Sequence, residues 1–271
     1  MYLCDTHSHT LISPDSHAPL ADMAAAAVSA GLREFCVTDH CDLLDGEGCP
    51  VAAFDWPAAR EQYRAVKTAL EDRLLLRLGI ELGSAPADPN AARAILEEGG
   101  DGLDFVLGSL HNWIGAEGNI DLYYTRYADD PALARRAVES TLDHTWALVT
   151  EYSDCYDSLA HINYPLRYIH RDGIDLSLAD WEDRVRAIFT EIAKTDHALE
   201  VNVCRGRDLE SWPPLLRWFR ESGGKLVTVG SDAHRPADVA KGIPEALGLL
   251  NAAGFRYVTT FAGRKPITHR L

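Results

Sequence analysis

Lys225-Leu226-Val227-Thr228-Val229 is a short β-branched run that stops at Gly230-Ser231-Asp232-Ala233-His234, and Pro236 then opens a longer amphipathic run to Ala253. The order is a buried strand, a polar strand end and a helix whose first turn tolerates proline. The same unit recurs upstream. Strands are predicted at Tyr2–Asp5, Glu34–Thr38, Leu74–Ile80, Phe105–Gly108, Ser158–Ala160 and Ala198–Val203, with a further short one at Tyr257–Phe261. Helices are predicted at Leu20–Ala30, Pro57–Glu71, Pro89–Glu97, Pro131–Tyr152, Leu178–Lys194 and Trp212–Glu221. Strands alternating with helices in this way mark βαβ units around a parallel sheet. Seven units without a linker or low-complexity tract predict a TIM-barrel-like α/β fold, a single domain over residues 1–271. An open doubly wound sheet is the alternative.

In a parallel barrel the C-terminal strand ends meet on one face, where such folds place their chemistry. Here those ends read Asp5-Thr6-His7-Ser8-His9, Thr38-Asp39-His40, Gly79-Ile80-Glu81, Gly108-Ser109-Leu110-His111, Ala160-His161, Glu200-Val201-Asn202 and Ser231-Asp232-Ala233-His234. His7 with His9 and Asp232 with His234 are i, i+2 pairs, which share one face of an extended segment. A carboxylate such as Glu81 has two oxygens and can bridge two cations. A lone strand-end histidine is ordinarily just a hydrogen-bonded polar residue, and His144, His170, His197 and His269 fit that description. The joint pattern of His7, His9, His40, His111, His161 and His234 fits a multinuclear metal site instead. Asp15 or His17, in the loop after the first strand, could add a ligand. Asp39 is either a carboxylate that orients a ligand histidine or a plain strand-end polar residue.

The chain carries 26 basic and 41 acidic residues, a formal charge of −15 over 271 residues. Such a field disfavours nucleic-acid backbones and anionic membranes, and no apolar run is long enough to span a bilayer. The six cysteines form no C-x-x-C pair, and the start of the chain lacks signal-peptide character. A reduced, cytoplasmic enzyme is expected.

The strand-end motifs, in this order from residue 5 to about 244, resemble those of the polymerase and histidinol phosphatase (PHP) superfamily. Within it, the segments Ala160–Tyr168 and Glu200–Arg207 look most like the histidinol-phosphate phosphatases. The resemblance implies a distorted (β/α)7 barrel with three divalent ions, usually manganese, iron or zinc. One ion would take His7, His9, Glu81 and Asp232. A second would share Glu81 and take His111 and His161, and the third would take Asp15, His40 and His234. The family commonly has His where Asp15 stands and often has Asp where this chain has Asn163.

The implied reaction is hydrolysis of a phosphate monoester, with a metal-activated hydroxide attacking phosphorus in line. The substrate is expected to be L-histidinol phosphate, an intermediate of histidine biosynthesis. Another small phosphomonoester or a nucleotide phosphate is the alternative. Arg167 and Arg207 are candidates to hold the phosphate by bidentate contacts. Trp113, Tyr164, Tyr168 and Trp212 could receive an imidazole ring, although such aromatics more often pack a core.

Overall fold

The computed structural model describes residues 1–51, 54–70, 72–115 and 117–271. Its strands β1 (Cys4–Asp5), β2 (Glu34–Asp42), β3 (Leu75–Gly83), β4 (Phe105–Ser109), β5 (Ser158–Leu159), β6 (Ala198–Asn202) and β7 (Leu226–Gly230) form one parallel sheet in sequence order. The sheet curls until its edges meet. Thr6 N donates to Val229 O (2.9 Å), Asp232 N to His7 O (3.0 Å) and His9 N to Ala233 O (2.9 Å). The buried Asp5 carboxylate secures the seam by accepting from Ser231 N at 2.9 Å and Ala240 N at 3.0 Å. These contacts make a nearly closed seven-stranded barrel and exclude the open sheet.

The helices that cover the barrel are α1 (Leu20–Ser29), α2 (Trp56–Leu70), α3 (Pro89–Gly99), α4 (Pro131–Glu151), α5 (Tyr164–Arg171), α6 (Glu182–Lys194), α7 (Trp212–Glu221) and α8 (Ile243–Ala252). Asp88 and Asp130 cap α3 and α4, accepting backbone N–H groups of the first turn just ahead of Pro89 and Pro131. The expected helix end at Glu71 lies outside the described residues.

Two-residue alternation sorts the strands into two layers. Outward residues such as Phe35, Val37, Leu76, Leu78, Ile80, Val106, Leu199, Val201, Val227 and Val229 join the large core beneath the helices. Inward residues build a smaller plug of Cys36, Phe105, Leu107, Ala160, Ala198 and Phe261. Above the plug, the inward positions become polar.

Four expectations need revision. The run Leu178–Lys194 opens with a 3-10 turn, Leu178–Trp181, before α6 begins. The run from Pro236 likewise begins as a 3-10 turn, and α8 starts only at Ile243. Gly242 separates the two pieces with φ 79°, and a Cβ there would sit 2.9 Å from the Gly206 backbone. Helix α5 was not anticipated. The short strand expected at Tyr257–Phe261 is β8 (Tyr257–Ala262), but its antiparallel partner β9 (Lys265–Arg270) was not anticipated; Phe261 of this hairpin stacks on Phe105 at 5.0 Å and closes the barrel floor. Among the described residues no helix is long and apolar enough to cross a membrane.

Candidate metal centre

Strand register starts the site. His40 of β2 pairs with Glu81 of β3, so both side chains leave the sheet side by side on its inner face. Glu81, 1% exposed, then lies among five imidazoles. Its Oε1 is 2.7 Å from His161 Nε2 and 3.2 Å from His111 Nε2. Its Oε2 is 3.0 Å from His40 Nδ1, 3.3 Å from His7 Nε2 and 3.6 Å from His9 Nε2. Asp232 Oδ1 stands 3.6 Å from both His9 Nε2 and His234 Nδ1. At the outer rim, Asp15 reaches His234 Nε2 at 2.9 Å and His40 Nε2 at 3.6 Å. The nine residues singled out as metal ligands therefore share one site. His17 lines the same cavity, but Asp15 makes these contacts.

Among the described residues, four groups have ligand atoms within 4.8 Å of one another: His7–His9–Asp232, His7–Glu81–His161, His40–Glu81–His111 and His9–His40–His234. These buried groups could bind metal ions, and the donor chemistry fits cations. His7 Nδ1 donates to Glu200 Oε1 at 2.6 Å and His111 Nδ1 to Asp42 Oδ1 at 2.8 Å, which turns each Nε2 toward the centre. There the Nε2 atoms of His7 and His9 are 3.1 Å apart, and those of His111 and His161 are 3.4 Å apart. Glu81 Oε2 and His40 Nδ1 are buried without a hydrogen-bond partner. Nitrogens and carboxylate oxygens crowded in this way need positive charge between them, as protons or as metal ions.

Titration directions divide the imidazoles: burial would lower His7, His40 and His111, but the carboxylates Glu200, Glu81, Asp15 and Asp42 overrule it and hold these three well above the usual imidazole range. Burial would raise the Glu81 carboxyl, but the surrounding His7, His111 and His40 overrule it and hold the group well below its ordinary value. Burial, then the neighbouring His40 and His234, pushes His9 well below the usual imidazole range, and burial also lowers His161. His9, His161 and Glu81 thus favour the forms that ligate, and a metal ion would take the place of the protons that His7, His40 and His111 otherwise hold.

The site opens into a cavity of about 1050 Å³. Arg167 of α5 reaches it from the wall, donating to Asp232 Oδ2 at 3.1 Å and Asn202 Oδ1 at 2.7 Å. Arg207 does not line this cavity. It is exposed and folds back onto Cys204, donating from Nε to the carbonyl at 3.2 Å. Cys204, Arg205 and Gly206 all have positive φ (44°, 60° and 76°), and this left-handed run points Arg205 inward instead. Tyr164 and Tyr168 line the cavity, whereas Trp113 and Trp212 are core residues whose indole N–H groups bond Thr125 and Asn202 O. Asn163 donates to Asp208 and Ser211, not to any of the nine.

The PHP domain family profile matches residues 5–203. This chain belongs to the PHP domain family. It is 26% identical to the histidinol-phosphatase of Lactococcus lactis subsp. lactis over 96% of this chain and 95% of that protein. It is also 26% identical to a probable histidinol-phosphatase of Thermotoga maritima, over 99% and 100% of the two chains. Its fold matches that of the histidinol phosphate phosphatase from Lactococcus lactis, with TM-score 0.80 and 24% identity over 98% of both chains. That enzyme was crystallised with zinc, L-histidinol and phosphate.

Sequence reasoning missed two carboxylates of this PHP domain. Asp42 holds His111 and lies two residues beyond His40 on the same strand face, a spacing that was readable. Glu200 is fully buried and holds two candidate ligands together, accepting from His7 Nδ1 and from His161 N at 3.0 Å. Gly230 makes room for it, since a Cβ there would lie 2.4 Å from both Glu200 Oε1 and His7 Cβ. Asp39 contacts no ligand ring directly. It accepts from Thr10 and Ser13.

Proposed function

We propose that residues 1–271 form one domain that hydrolyses a small phosphomonoester, L-histidinol phosphate, with divalent metal ions. The observation that carries this reading is Glu81, buried at bridging distance from imidazoles on both of its oxygens beneath an open cavity. The choice of substrate follows relatives that align over nearly their full length and bear the histidinol-phosphatase name.

Three ions, as manganese, iron or zinc, suit the nine donors. His7, His9 and Asp232 would hold one with an oxygen of Glu81. His111 and His161 would hold a second with its other oxygen, and Asp15, His40 and His234 the third. When bound, such ions polarise phosphoryl oxygens, acidify water and offset charge on the transferring group.

The remaining work belongs to the chain. Arg167 and Arg205 present forked donors suited to phosphate. In a chain of charge −15, they supply the local positive field an anionic substrate requires. Asp232 and Asn202 hold Arg167 in place, so its guanidinium is positioned before substrate arrives. On the cavity wall, Tyr164 and Tyr168 offer flat faces to an imidazole, and Asp121, which accepts from Tyr164 Oη at 3.3 Å, offers a carboxylate to an ammonium.

The test is phosphate release from a panel of phosphomonoesters, nucleotide phosphates included, with metal content measured on the same sample. L-Histidinol phosphate should show the highest kcat/KM. Metal-loaded protein that released no phosphate from any member would defeat the reading.

A further inference from the structure

We infer that Ser13 is a positioning residue that fixes which nitrogen of His9 faces the metal site, a role that rests on the metal-site reading above. Ser13 lies in the loop after β1, is 2% exposed and touches three groups of the site. Its Oγ is 2.8 Å from Asp39 Oδ1, 2.9 Å from His40 N and 3.1 Å from His9 Nδ1.

A hydroxyl has one proton to give, and the direction of every bond around it can be traced. The His40 N–H can only donate, so it consumes an acceptor site on Oγ. Asp39 accepts from Thr10 N at 2.5 Å and from Thr10 Oγ1 at 2.8 Å. Thr10 Oγ1 is itself committed, because Gln62 Nε2 donates to it at 2.8 Å and its own proton goes to Asp39. The Asp39 carboxylate is thus the common acceptor of the network, and the Ser13 proton goes to it. His9 Nδ1 must then be the donor to Ser13. Its Nε2 is left with a lone pair, 3.6 Å from both Glu81 and Asp232 and facing the cluster.

Glu200 and Asp42 do for His7 and His111 with a charged oxygen what Ser13 does for His9 with a neutral one. The difference suits its place. Adding a carboxylate directly behind His9 would place another charge beside Asp232 and Glu81, whereas the hydroxyl passes the hydrogen bond on to Asp39. Partners of this kind typically change metal affinity by about 10–100-fold when removed.

The experiment uses zinc alone, without substrate. Chelator-stripped parent, Ser13→Ala and Ser13→Thr are titrated with zinc against a competing chelator, and melting of the metal-free proteins is recorded alongside. Ser13→Ala should bind zinc about 10–100-fold more weakly, and Ser13→Thr, which keeps the hydroxyl, should recover most of that loss. Long-range 1H–15N spectra of the zinc-loaded parent, assigned with a His9→Gln variant, should show the His9 proton on Nδ1. Parent-like zinc affinity in Ser13→Ala, an equal loss in Ser13→Thr, or a His9 proton on Nε2 would each overturn the assignment. If Ser13→Ala does not fold, the parent spectrum decides alone. Because no substrate is present, failure here is separable from failure of the phosphatase reading.

Discussion

The Nε2 atoms of His7 and His9 stand 3.1 Å apart, while the other nitrogens of the two rings are engaged by Glu200 and Ser13. Two lone pairs at that distance repel unless a proton or a cation lies between them. The apolar core, by contrast, is built from strand and helix residues outside the ring. Chelation should therefore abolish hydrolysis while far-UV circular dichroism stays native. Zinc or manganese should restore activity. Metal in hundredfold excess over its dissociation constant adds about 2.7 kcal/mol to folding, so stripped protein should also melt several degrees lower. Unfolding on chelation would show that the core depends on the ions.

Glu81→Gln keeps the size of the side chain but removes the charge that five imidazoles surround. Metal content should fall, and kcat/KM should drop about a hundredfold or more. Parent-level turnover in this variant would remove Glu81 from the bridging role.

Arg205 and Arg207 separate two readings of one segment. Arg205→Ala should raise KM for the phosphorylated substrate by roughly tenfold or more, in line with about 1.5–3 kcal/mol for a charged hydrogen bond. Arg207→Ala should leave KM within about twofold, because its guanidinium rests on Cys204. The reverse ranking would return the role to Arg207.

That segment also marks where the sequence stops being readable. His7, His40, Glu81, His111, His161 and Asp232 could be grouped before any coordinates, because parallel strands deliver their C-terminal ends to one face. Arg207 followed the same logic of spacing. The geometry departs from that logic because Cys204 and Arg205 adopt positive φ and Arg205, not Arg207, lines the cavity; residues other than glycine rarely reveal such a backbone in advance. Helix α5 was missed for another reason: Tyr164–Arg171 is short, and polar residues dominate its exposed face. β9 contains Pro266 and few apolar residues, tolerable only because it is an outer strand of a two-stranded hairpin. Glu200 was visible at its strand end, but nothing in the sequence pairs it with His7, 193 residues away.

Asp172 links the cavity mouth to pH. It accepts from Tyr127 N at 2.8 Å and from Arg171 Nε at 2.9 Å, while Arg171 binds the Tyr123 and Thr125 carbonyls at 2.9 Å each. The Arg171 hydrogen bond, then the Tyr127 N–H, lowers the Asp172 pKa below the ordinary carboxylate value. A depressed carboxylate contributes stability above its unfolded pKa, about 4, and loses it as pH falls through the lower folded value. Asp172→Asn should therefore melt below the parent at pH 7, and the gap should close in acid. It should also raise KM more than it lowers kcat, since the segment it ties down carries Tyr123 and Tyr124 at the cavity. A gap in melting temperature that is constant from pH 7 to pH 3 would contradict the linkage.

The most direct measurement is X-ray anomalous scattering at the zinc edge from crystals of the zinc-loaded protein. Peaks should fall at about 2.0–2.2 Å from oxygens of Glu81, flanked on one side by His7 and His9 and on the other by His111 and His161. Zinc found only at surface residues, with no peak in contact with Glu81, would contradict the account.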